Sequence, residues 1–183
     1  EKFYTNANNN WYNFVKNNNK LLSLPHFVNS NEFSFEDISN RKKTIYVGGA
    51  NYYHREKVIN VVRKTNYNKD VTNFHSTMYS LLRKFRVKPD GNLVLMKLYN
   101  ILFQSELNRS KYGFTCGSGL EWPIRKFFEI PASGALLMAK PFKNADNLGF
   151  EDNTTYLEVD YRNIIEKINY LKDNDQIAQQ IAK

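Results

Sequence analysis

Two carboxylates, Glu121 and Glu129, stand eight positions apart in the stretch Thr115 to Met138, the part of the chain best equipped for chemistry. An ionised carboxylate only accepts hydrogen bonds, and a bidentate grip on a cis-diol such as ribose is a natural use of one. A helix opening near Pro123 would leave Glu121 in the loop at its amino-terminal mouth and carry Glu129 about two turns in. Backbone amides at such a mouth favour negative charge, a ligand diphosphate as readily as a side chain. Arg125 stands four residues before Glu129, so spacing alone makes an ion pair along the helix an equally good use of that carboxylate.

Two glycine loops could serve the same site. Gly48-Gly49-Ala50-Asn51 follows a β-branched run and precedes a helical pattern, so its small residues let backbone approach a ligand while the first amides of the helix face an anion. Arg55, one turn into that helix, is placed to reach a phosphate. Gly117-Ser118-Gly119 ends a second strand pattern in the same way. Neither loop is a G-x-G-x-x-G or a Walker A segment, so the ordinary dinucleotide and P-loop assignments lack their residues. His26, His54 and His75 are scattered with no Ser–His–Asp logic; only His26, in a linker that would face the cleft, is kept as a candidate catalytic group. Cys116 at a strand end reads as a small buried residue. No Cys/His cluster has zinc-site spacing, and no metal ligand set is expected.

The elements that must position these residues alternate. Strand patterns at 44–47, 71–74, 112–116, 135–138 and 155–159 are separated by helical patterns at 53–64, 76–85, 93–107 and 123–132, and two more helices are expected at 161–171 and 175–182. The apolar spacing of Leu95, Leu98 and Leu102 suits a buried helix. Asp173 and Asp175 are candidate caps for the last helix. Strands alternating with helix-length segments imply an α/β fold, with a parallel sheet covered on both faces. Residues 1–40, with an Asn-rich start and the aromatic patch Trp11, Tyr12 and Phe14, read as a surface segment and linker; 41–183 reads as one Rossmann-like domain.

The single cysteine and the absence of a leading apolar run or an 18-residue apolar span lead to the expectation of a cytoplasmic chain. The net charge of +8 attracts phosphate of any kind, but the basic residues are scattered, so nucleic acid is not expected as a partner; an anionic membrane surface is a further partner such a charge would attract.

The segment Glu121 to Glu129 has the Glu-x7-Glu form of group 1 glycosyltransferases, and Ile130-Pro131-Ala132-Ser133-Gly134-Ala135-Leu136-Leu137 resembles their continuation. The match is closer to the CgeB-type glycosyltransferase-like family, with its R-x-FEIPA-x-G-A-LLL segment. Ile45-Tyr46-Val47-Gly48-Gly49 with Arg55, the stretch Leu24-Pro25-His26-Phe27-Val28, and the tail from Asn147 through Ile168 to Ala178 follow in the same order. The resemblance spans about residues 21–183. It implies the carboxyl-terminal half of a GT-B enzyme, a hexosyl- or pentosyl-transferring glycosyltransferase that takes a nucleotide-diphosphate sugar as substrate, requires no cofactor or metal, and retains configuration. Glu129 would hold the ribose hydroxyls, Glu121 would lie near the donor sugar, and Gly48, Gly49 and Arg55 would line the diphosphate, with Arg125 and Gly117 to Gly119 beside them. The acceptor, a glycan, lipid or protein, would be held by an amino-terminal domain, without which this chain is expected to be inactive. The loop Gly49 to Tyr53 lacks the lysine that many group 1 enzymes supply to phosphate; Lys126 and Lys111 are candidates to replace it. The alternative is a non-catalytic nucleotide- or glycan-binding module of a larger assembly.

Overall fold

The computed structural model describes residues 28, 33, 35–49, 52–71, 74–85, 92–117, 123–142 and 145–183. Its centre is a parallel sheet of β1 (Lys43–Val47), β2 (Ser110–Thr115), β3 (Leu136–Ala139) and β4 (Leu157–Glu158), hydrogen-bonded in that order. Ile45 pairs with Tyr112, Tyr112 with Leu136, and Met138 with Leu157. The helices are α1 (Tyr53–Val62), α2 (Phe74–Lys84), α3 (Leu93–Asn108), α4 (Lys126–Ala132), α5 (Ile164–Lys172) and α6 (Asp175–Ile181). The expected α/β class, with a Rossmann-like parallel sheet between helices, is therefore what the described residues form.

Strand alternation divides the core in two. Ile45, Val47, Tyr112, Phe114, Leu136 and Met138 point to one face and meet Val58 and Val62 of α1, Ile164 and Ile168 of α5, and Ala178 of α6. Tyr46, Leu137 and Ala139 point to the other, where Phe103 and Leu107 of α3, Phe127 and Ile130 of α4, Phe142 and Phe150 complete a largely aromatic layer. Gly113 also faces α4: a Cβ there would lie 2.7 Å from Cγ2 of Ile130, so the absent side chain lets helix and strand close together. Residues before position 41 belong to the same body, since Ile38 is fully buried and its amide donates to Oε1 of Gln179 at 2.7 Å.

Several expected boundaries move. The strand expected at 71–74 is not formed: a 3-10 turn occupies Asn68–Val71, and Phe74 already begins α2. The physical reason is an edge contact made by a side chain, as the Asp70 carboxylate accepts from the Thr44 amide at 2.8 Å on β1. The helix expected from Pro123 begins at Lys126, and Pro131, not Pro123, lies inside it. That expected from Tyr161 begins at Ile164, because Asp160 and Asn163 engage each other's turn, Asp160 Oδ1 accepting from the Arg162 amide and Asn163 Oδ1 from the Asp160 amide. Asn174 rather than an aspartate stands at the cap of α6; Asp175 lies inside the helix and binds Lys111 Nζ at 2.6 Å. Nor is α3 buried as expected, since Leu98 and Ile101 are exposed and the covered positions are Phe103 and Leu107. The segment 1–27, including its aromatic patch, lies outside the described residues.

Candidate functional site

At the carboxyl end of β1 the chain turns through Gly48 and Gly49 and then enters α1 toward the aliphatic face; after β2 it enters α4 toward the aromatic face. Adjacent strands whose following helices leave to opposite faces hold a crevice between their loops, the place where ligands bind in open α/β sheets. The two glycines have different tasks there. Gly48 is buried, and a Cβ on it would fall 2.2 Å from the Tyr46 hydroxyl oxygen, so its bareness makes room for the phenol. Gly49 is exposed, with φ +112, and a Cβ on it would meet Cε of Lys126 at 3.0 Å and Nη1 of Arg55 at 3.2 Å. Two cations from different helices thus converge on the bare backbone of Gly49.

Arg55 is the largest fully buried side chain of the chain's described part, at 1 % exposure. Its Nη2 donates to Thr115 Oγ1 at 3.4 Å, at the last residue of β2, and its guanidinium lies 5.3 Å from the centre of the Tyr52 ring. Lys126 reaches from the first position of α4 across the aromatic layer, its Nζ 4.1 Å from the Phe103 ring centre and 5.6 Å from that of Tyr46. Burial pulls the Lys126 ammonium down to about 8, with Glu129 pulling the other way and Arg55 and Arg125 adding to the depression. Ring faces stabilise a cation that has left water, but less well than a counter-charge does.

Both cations stand in the first turn of a helix, where the helix dipole presents partial positive charge, and the N-cap residue of α1, Tyr52, makes no side-chain capping bond. Glu129 is buried at 6 % exposure and is bound by Arg125, Nε to Oε1 at 2.8 Å, with Arg125 itself 54 % exposed. The i, i+4 ion pair anticipated from spacing is therefore formed, with Glu129 one turn from Lys126. Arrayed this way, the crevice offers an anion two side-chain cations and a bare glycine at the start of a helix, with a carboxylate beside them.

Of the residues expected at the site, Gly49, Arg55, Glu129 and Arg125 gather at this end of the sheet, and Gly117 follows Cys116 beyond β2. His26, Ser118, Gly119 and Glu121 lie outside the described residues. Cys116 is buried, and burial pushes its thiol up, as fits a packing role. Of the two candidate lysines, Lys126 is at the site and Lys111 is tied to Asp175 near the opposite end of β2. Thr115, Tyr46 and Tyr52 were not anticipated; the signal for Thr115 is its place at the end of an apolar strand pattern, two residues before Gly117, where side chains reach the carboxyl edge. Among the described residues no three His, Cys, Asp or Glu side chains gather as metal ligands, and no helix is long and apolar enough to cross a membrane. No protein-family model matches the chain, and no curated protein matches it.

Proposed function

We propose that this chain binds the diphosphate of a nucleotide sugar between Arg55 and Lys126 and serves as the donor half of a GT-B glycosyltransferase. The observation that carries the proposal is the convergence of those two cations on the bare, exposed backbone of Gly49 at the start of α1, where the helix dipole favours an anion. The ordered likeness of 45–55 and 121–137 to group 1 and CgeB-type enzymes supports the sugar-nucleotide part of it.

In this reading Gly49 admits the phosphates to backbone distance, and Arg55 and Lys126 neutralise the charge that grows on the diphosphate as the sugar leaves. Groups held in place by burial do so without reorganising during the reaction. Glu129 accepts from the ribose hydroxyls after exchanging its bond to the exposed Arg125, which swings into solvent. By the resemblance, Glu121 would act beside the sugar and a second domain would supply the acceptor.

Calorimetric titration with UDP-, GDP-, ADP-, CMP- and dTDP-linked sugars tests this. One member should bind, and Glu129→Ala should weaken it about 10- to 100-fold, the loss expected for hydrogen bonds to a charged group. Failure of every donor to bind at millimolar concentration would sink the proposal. Binding without transfer by the parent protein, together with an acceptor domain, would favour a non-catalytic module.

A further inference from the structure

A second surface stands apart from the crevice and from the nucleotide assignment. Ten large apolar or aromatic side chains are exposed among the described residues, and six of them, Leu81, Phe85, Leu93, Val94, Leu98 and Ile101, sit on or directly after α2 and on α3. These two helices pack against each other. On α3, Leu93 is 90 % and Val94 76 % exposed, and the spacing 94, 98, 101 keeps to one side of a helix. Water-exposed aliphatic side chains concentrated in this way mark an interaction surface.

Charge identifies the partner. Among the described residues of α2 and α3, Lys84 and Lys97 are exposed cations beside these apolar side chains. The one acid on α2 or α3 is Glu106, in the last turn of α3, and it is bound to Lys43 at 2.7 Å. Lys97 is exposed between Val94 and Leu98, within the apolar stripe itself. Protein interfaces exclude lysine from their cores and draw their strongest contacts from Trp, Tyr and Arg. Leu, Val and Ile interleaved with lysine instead fit a lipid–water interface, where the chains enter the acyl boundary and the lysine stem extends its ammonium to the headgroups.

We propose that the α2–α3 face docks on an anionic membrane surface. Its position adds a consequence. A single residue, Arg109, separates α3 from β2, so the helix runs back antiparallel to the strand and its start lies toward the carboxyl edge of the sheet. Leu93 lies about 15 Å along the axis from Phe103, whose ring touches Lys126. The docked face therefore brings the crevice end of the sheet to the bilayer.

The test is co-sedimentation of the full chain with vesicles of phosphatidylcholine alone and of phosphatidylcholine with phosphatidylserine. The wild type should pellet with the anionic vesicles, less so as salt rises, and stay in solution with the neutral ones. A Leu93→Ser, Val94→Ser, Leu98→Ser variant and a Lys84→Glu, Lys97→Glu variant should each lower partitioning about tenfold or more. The substituted side chains are exposed, and the second variant decides the matter should the first lose its thermal transition. No pelleting with anionic vesicles at low salt, pelleting unaffected by either variant, or a homodimer dissolved by the triple substitution would overturn the proposal, the last in favour of a second copy.

Discussion

The two ends of the sheet each hold a buried arginine, and they use it differently. At the amino end Arg41 donates to backbone carbonyls alone: Glu36 through Nε at 3.2 Å and Nη2 at 2.8 Å, Leu107 at 3.1 Å and Ser110 at 3.0 Å through Nη1, and Ser133 through Nη2. Of these oxygens, those of Leu107 and Ser133 lie at the carboxyl ends of α3 and α4, where helix dipoles present negative charge, so the cation is matched by the fold itself. At the carboxyl end Arg55 and Lys126 stand where helices begin and the dipole presents positive charge. One arginine staples the architecture; the other lies beside a second cation at the glycine turn that follows β1. The segment Lys126 to Ala135 joins both ends, with Lys126 and Glu129 at the crevice and Ser133 and Gly134 at the staple.

Removing the staple should have the largest effect. Arg41→Met leaves several buried carbonyls unpaired and is expected to cost about 3–5 kcal/mol in urea unfolding; a loss under about 1 kcal/mol would break the contrast. Gly134 and Gly149 sharpen it. Both have left-handed φ, +75 and +78, but a Cβ at Gly134 meets Phe35 at 2.8 Å and Arg41 at 2.9 Å while at Gly149 nothing lies within 4 Å. Alanine at Gly134 should therefore cost about 2–3 kcal/mol and at Gly149 about 1 kcal/mol, the second reporting backbone strain alone. At the other end, Arg125→Ala removes a largely exposed ion-pair partner and should alter stability by about 1 kcal/mol or less, read in the same unfolding experiment.

Acidity offers the gentlest test. Lys126 loses its proton near pH 8, so affinity for a phosphate anion should fall between pH 7 and 9 in calorimetry. Stability moves oppositely: above pH 8 the unfolded chain keeps a lysine proton that the folded chain has released, so unfolding free energy rises from about pH 8 toward the ordinary lysine range near 10.5. In Lys126→Met both slopes should flatten.

Much of the architecture could be read from residue patterns. Thr44 to Val47, Tyr112 to Thr115 and Leu136 to Met138 are short apolar runs bounded by glycine or helix-length spacers, which the structure forms as adjacent parallel strands. Val71 misled because a β-branched residue can face the core from a 3-10 turn as well as from a strand, and the Asp70 bond to Thr44 depends on tertiary contact. Periodicity on α3 showed apolar residues on more than one side without saying which side the sheet covers. At the site, Arg55 and the Arg125–Glu129 pair were legible from spacing along single helices. The approach of Lys126 to Gly49 was not, because it joins residues 77 positions apart across the aromatic layer. Splitting Gly48 from Gly49 also needed the structure, since only the fold turns one toward Tyr46 and the other toward the cations.

The central claim, an anion held between Arg55 and Lys126, is tested most directly by titrating inorganic pyrophosphate into the wild-type chain and into Lys126→Met at pH 7 and low salt. Pyrophosphate should bind the wild type, and the substitution should weaken it about 10- to 100-fold while stability shifts by only about 1 kcal/mol. Equal affinity in both proteins, or no binding to either, would contradict it.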